Sequence, residues 1–184
     1  NTHEDPQFTP PKTKIYQTGE WVELDGDFQF SADESTKGYA VKLENIEFMS
    51  PKDYAARYGL ELSAFYSLDD ILPEFVADLT LNFRNTGNDE GYIQFVYYRI
   101  YSEKDLRSFY PLADVNALLH PEMSDKLGFK IYPGTESGPN HFCLISAVEA
   151  TGAVTGNSKN FPKYLQISMT PTRKVIEIPE LNIS

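Results

Sequence analysis

Between residues 75 and 84 the chain reads Phe-Val-Ala-Asp-Leu-Thr-Leu-Asn-Phe-Arg, and this stretch restricts the fold more than any other. Phe75, Ala77, Leu79, Leu81 and Phe83 take every second position, with Asp78, Thr80, Asn82 and Arg84 between them. Side chains alternate across a strand but repeat every 3.6 residues on a helix. The pattern is therefore a β-strand, with an apolar row toward a core and a polar row toward water. The turn formers Asn85 to Gly91 follow, and Tyr92 to Tyr101 reads as a return strand. Together they predict a hairpin with a long polar tip.

The rest of the chain repeats this grammar. Trp21-Val22-Glu23-Leu24 is a short strand closed by Asp25-Gly26, a tight-turn pair, with Phe28-Gln29-Phe30 as the returning arm and a polar loop from Ser31 to Gly38. Tyr39 to Leu43 alternates, and so does Ile46 to Phe48, but the apolar set moves from odd to even numbers around Asn45, which predicts a bulge. Phe129–Tyr132, Asn140–Glu149, Tyr164–Met169 and Arg173–Ile178 supply further strands, punctuated by Pro133-Gly134 and by Thr-Gly pairs at 151–152 and 155–156. Eight or nine strands without a βαβ rhythm point to an antiparallel sandwich.

Two stretches break the strand pattern. In 50–73, Ser50 can cap a helix, Pro51 suits its first position, Asp53 its positive end and Gly59 its exit, with Tyr54 and Tyr58 on one face. In 102–126, Pro111 to Leu119 reads as a short helix with Leu112, Val115, Leu118 and Leu119 on one side. Residues 1–14 carry three prolines and hardly any apolar side chain, and read as a flexible linker ahead of a single domain over 15–184.

Composition narrows the partners. A net charge of -11 argues against nucleic-acid phosphate and anionic membrane, and no apolar run approaches the length of a membrane span. The single cysteine, Cys143, has no internal disulfide partner and excludes a multi-cysteine zinc site. The aromatic share of 14% is high, and in a β-rich chain it is first a packing resource.

Candidate chemistry is thin. Gly134-Thr135-Glu136-Ser137-Gly138 has the wrong spacing for a nucleophile elbow. His141 and Cys143 share one side of a strand, so a thiol–imidazole pair is geometrically possible, though a buried thiol beside a half-exposed histidine is the commoner arrangement. Asp69-Asp70 reads as solvated loop. The tip Asn85 to Glu90 offers oxygens to a calcium ion without the usual loop spacing. No catalytic residue, cofactor site or metal site is assigned, and the expectation is a non-enzyme.

Certain segments carry a family likeness. The opening Tyr16 to Gly26, the alternating strand ending in Asn85-Thr86, and the closing Leu165–Met169 and Val175–Ile178 resemble the telokin-like, immunoglobulin-like domains of Gram-positive surface lipoproteins. The resemblance implies an extracellular domain held at the cell surface by a lipidated cysteine upstream of residue 1, without established activity. The expected fold is an all-β, antiparallel immunoglobulin-like β-sandwich with one or two short helical insertions. The expected role is a non-catalytic module that meets a protein or cell-envelope component through the insertions 50–73 and 102–126 and an exposed sheet edge. The alternative is a small-ligand or carbohydrate binder that stacks on Tyr97, Tyr98, Tyr101, Phe109 and Tyr110.

Overall fold

The alternating stretch is a strand, and it lies deep in the structure. The computed structural model describes residues 12–27, 36–67, 69–94, 97–101, 109–123, 128–146, 162–169 and 172–179. Its strands are β1 (Thr13–Gln17), β2 (Trp21–Glu23), β3 (Tyr39–Met49), β4 (Val76–Asn85), β5 (Gly91–Gln94), β6 (Arg99–Tyr101), β7 (Phe109–Pro111), β8 (Gly128–Ile131), β9 (Thr135–Glu136), β10 (Asn140–Ser146), β11 (Tyr164–Ser168) and β12 (Arg173–Glu177). Two short helices accompany them, α1 (Pro51–Tyr58) and α2 (Ala113–Leu119). Residues 1–11 of the expected linker, the arm 28–30 and the segments 102–108, 124–127 and 147–161 fall outside the described residues. Thr13 and Lys14, expected in the linker, are strand.

Ten of the strands share one sheet, ordered β1-β12-β11-β6-β7-β10-β4-β3-β2, with β9 added on β4; β5 and β8 form a separate ribbon. The chain is mostly β, as its alternation requires, but the strands make one curled sheet rather than two stacked ones. The curl follows from connectivity. β1 and β2 sit at opposite ends of the order, about 38 Å apart in a flat sheet of that width, yet only Thr18, Gly19 and Glu20 join them, a link that reaches about 14 Å at most. The sheet therefore rolls until its edges nearly meet. Lys174 of β12 ties this seam: its ammonium donates to the carbonyls of Glu23 (2.6 Å) and Leu24 (3.1 Å) and lies 3.0 Å from the Asp27 carboxylate, with Lys174, Leu24 and Asp27 nearly out of water.

The interior of the roll holds the main core, including Val41, Leu79, Leu81, Phe83, Phe142 and Ile176. The bulge lies where the pattern switch places it. Leu43 pairs with Leu81 and Asn45 with Thr80, so Glu44 is the extra residue and both halves of β3 turn their apolar rows inward. At Asp25-Gly26 both residues have positive φ (49° and 91°), and the Asp27 amide donates to the Leu24 carbonyl, as a tight turn demands.

The predicted hairpin does not form. β4 is flanked by β3 and β10, while the return stretch splits: β5 pairs with β8, and β6 with β7 and β11. Alternation fixes which face a residue takes but not which strand lies beside it. The polar row of β4 is not solvated either, since Asp78 is 3% exposed and Asn82 5%.

The first insertion covers Asp78 through Arg57 and Tyr58, while Asn82 is held by Glu136, Ser137 and Gly138. α1 forms as its caps prescribe: Ser50 Oγ accepts from the Asp53 amide, and Gly59 takes the left-handed conformation that ends the helix. α1, the 3-10 turn Leu62–Phe65 and α2 lie over the outer face of the sheet and enclose a second core with Tyr54, Phe65, Val115, Cys143 and Ile145. Leu118 departs from the expected apolar side and is 60% exposed. Asn116 is buried instead. Its side chain accepts from the Cys143 amide and donates to the Cys143 carbonyl, both at 2.8 Å, and His120 Nε2 lies 2.6 Å from the His141 carbonyl. Four helical residues span about 6 Å and two strand residues about 6.7 Å. Asn116 in α2 and His120 at its C-terminal cap, four residues apart, can thus stand in for a neighbouring strand along β10, where β7 has stopped.

Candidate functional site

Two places gather polar chemistry, and they are built differently. The first lies on the outer face, beside the second core. Asp78 on β4 is held by three side chains: the Tyr58 hydroxyl donates to Oδ2 at 2.5 Å, Arg57 Nη1 donates to the same oxygen at 3.1 Å, and His141 Nδ1 lies 3.3 Å from Oδ1. Arg57 also makes a two-pronged pair with Glu47 on β3, at 3.2 and 3.3 Å. Burial and the bond to Asp78 push the Tyr58 hydroxyl up from its ordinary value, while the hydrogen bonds to Glu47 and Asp78 strengthen the hold of Arg57 on its proton.

A buried carboxylate that orients an imidazole, leaving the outer ring edge to solvent, is half of a general-base arrangement. Thr80 Oγ1 also lies 3.3 Å from Nδ1, on the committed side of the ring. Cys143, two residues along, is fully buried, and burial with the nearby Asp78 charge pushes its thiol well up. The two side chains share a face as expected, but Cys143 belongs to the core with Tyr54 while His141 faces water.

The second place is the end of the roll where the 85–91 tip meets residues 36–39. Asn85 closes the tip locally: its Nδ2 donates to the Asp89 carbonyl at 2.7 Å and its Oδ1 accepts from the Gly87 amide at 2.8 Å. Gly38 (φ +87°) and Gly87 bring two backbones into contact, for a Cβ on Gly38 would lie 2.7 Å from the Gly87 nitrogen. Tyr39 lies against Gly91, where no side chain would fit. Open hollows of about 500 and 460 Å³ flank this contact and share Lys37, Gly87 and Asn88; Asp89 and Glu90 line the first, Glu23 and Asp25 the second. Burial, with the Asp89 charge, raises the Tyr39 hydroxyl above its ordinary value.

The β5–β8 ribbon adjoins this end. Tyr92 and Lys130 are cross-strand partners, and the Lys130 ammonium lies 6.0 Å from the Tyr92 ring and 5.2 Å from the Tyr132 ring while pairing with Glu90 at 3.2 Å. Tyr132 is 54% exposed and Tyr92 37%.

A family model described as "Domain of unknown function (DUF5028)" matches residues 13–174, from the first residue of β1 into β12. The chain belongs to this family. No curated protein and no solved structure matches it. The DUF5028 assignment thus covers nearly every described strand and brings no residue roles with it.

Within this DUF5028 chain the stacking platform does not assemble. Tyr98 and Phe109 are fully buried, Tyr97 is half-buried and Tyr110 is half-exposed, while the Tyr101 side chain lies outside the described residues. Asp69 and Asp70 are exposed loop residues. Among the described residues no cluster of three or more metal-ligating acid, histidine or cysteine side chains occurs, and no helix is long and apolar enough to cross a membrane. Sequence reasoning missed the Asp78 cluster, whose signal was the acid in the polar row of β4, and it missed Tyr92 and Tyr132 as surface groups.

Proposed function

We propose that this chain is a non-catalytic binding module that works outside the cytoplasm, and that its contact surface is the tip end with the Tyr92–Tyr132 ribbon. The observation carrying the proposal is the pairing of open hollows, walled by glycine-tightened backbone, with half-exposed tyrosines beside them. Walls fixed before binding lose little entropy on association, and tyrosine offers a large contact area with few torsions to freeze. Among the described residues, the insertions expected to be the contact surface place Tyr54, Phe65 and Val115 in the second core and leave Tyr66, Ile71 and Leu118 exposed. The extracellular setting rests on the resemblance to surface lipoproteins. The partner class is a protein or a cell-envelope component.

Immobilised full chain can be tested against cell-envelope material, wild type beside a Tyr92→Ala/Tyr132→Ala variant. Retention by the wild type should exceed that of the variant by about tenfold or more. Equal retention, or none by the wild type, ends the proposal.

The Asp78–His141 pair favours a second reading, a hydrolase with His141 as base. It requires that His141→Ala abolish a turnover found with ester or amide substrates, and a folded variant of undiminished turnover removes it.

A further inference from the structure

We infer that the tip hollows take a neutral, polyhydroxylated ligand, a glycan chain, lying across the backbone contact of Gly38 and Gly87. This rests on the tip end being the contact surface proposed above. Charge placement makes the selection. Glu23 is engaged by Arg84 and Glu90 by Lys130, so their charges are answered within the chain. Lys37, Asn88 and Asp25 make no hydrogen bond or ion pair among the described residues, and the Asp89 carboxylate makes none either. Lys37 lines both hollows, with Asp25 in one and Asp89 in the other.

A basic peptide laid across this end meets the Lys37 ammonium in the middle of its path. A polyanion meets a carboxylate in each hollow. Hydroxyl groups donate and accept, so one neutral chain can satisfy the ammonium, the amide and both carboxylates in turn. The floor is suited to the same ligand. Gly38 and Gly87 pack backbone against backbone, so the wall shared by the hollows is fixed before a ligand arrives. Tyr132, beyond Glu90 and Lys130, supplies the ring on which a sugar face can stack.

The test is amide-shift mapping of the full chain with neutral hexose and N-acetylhexosamine oligosaccharides, and separately with oligolysine. The expected result is shifts centred on Lys37, Gly38 and Gly87 to Glu90 with a neutral oligosaccharide. Affinity should fall about tenfold or more in Lys37→Ala and in Asp89→Ala, both exposed positions whose loss leaves the fold intact. Shifts at the same residues with oligolysine alone would overturn the glycan assignment and leave the binding surface standing. If neither probe moves these residues up to millimolar concentration, while retention of envelope material survives the tip substitutions, both the ligand class and the surface are wrong.

Discussion

The outer face around Asp78 and the tip around Gly87 use the same kinds of side chain to opposite ends. At Asp78 a carboxylate, a guanidinium, a phenol and an imidazole converge, and all but the outer edge of His141 are turned toward one another. At the tip a lysine, an amide and two carboxylates surround open space and leave one another unpaired. In the first case polar chemistry fastens a helical layer to a sheet. In the second it is left available. A list of functional-looking residues would have ranked the two the other way round.

Substitutions can sharpen that contrast or dissolve it. The largest effect should come from Phe65→Ala, which empties the centre of the second core where Phe65 meets Tyr54 edge-on at 5.8 Å. Chemical denaturation should register a loss of about 3–5 kcal/mol, and a loss below about 1 kcal/mol would mean that the helical layer is not part of the cooperative fold. Asn116→Ala comes next. It removes the side chain that answers the Cys143 amide and should cost about 2 kcal/mol; it should also leave β10 with an open edge, visible as concentration-dependent self-association in sedimentation.

Alkaline titration gives a smaller and graded effect. Burial raises the Cys143 thiol from its ordinary 9.0 and the Tyr54 and Tyr58 hydroxyls from 10.0, so the folded chain keeps protons that the unfolded chain releases. The stabilisation from these protons is complete below pH 9 and declines as pH rises, by about 1.4 kcal/mol per pH unit for each group past its unfolded value. Urea midpoints between pH 8 and 11 should fall accordingly, and Cys143→Ala should delay the onset; a flat profile would show that the thiol is not shielded. Smallest of all, Lys37→Ala and Asp89→Ala should move stability by less than about 0.5 kcal/mol. A larger shift there would make the tip structural after all and erase the contrast.

Local chemistry made much of this fold legible. Ser50, Pro51 and Gly59 announced α1 because each satisfies a terminal requirement that no distant residue can alter, and the parity switch near Asn45 located the bulge for a similar reason. Partner choice was not legible. The rows of β4 specify faces, and nothing in 92–101 reveals that its first half leaves the sheet for β8. The candidate site was harder still. Asp78 looked solvated because its cover comes from α1, some twenty residues upstream, and Asn116 looked like an ordinary polar residue on a helix that needed four leucine-like positions. Tyr132 was read as one more strand aromatic, since exposure depends on where the ribbon lies and not on the residue itself.

The seam has a kinetic consequence. β1 finds its hydrogen-bonded neighbour in β12, with Gln17 opposite Glu177, so it stays unpaired along that flank until residues 173–177 are in place. Closure of a loop that long is slow to find and precedes any reward from the contacts it makes. While the roll is open, β12 and the apolar rows of its neighbours remain available to other chains. The rate of tying Lys174 to the turn after β2, more than the strength of any one contact, would then govern how much of the protein reaches its native state.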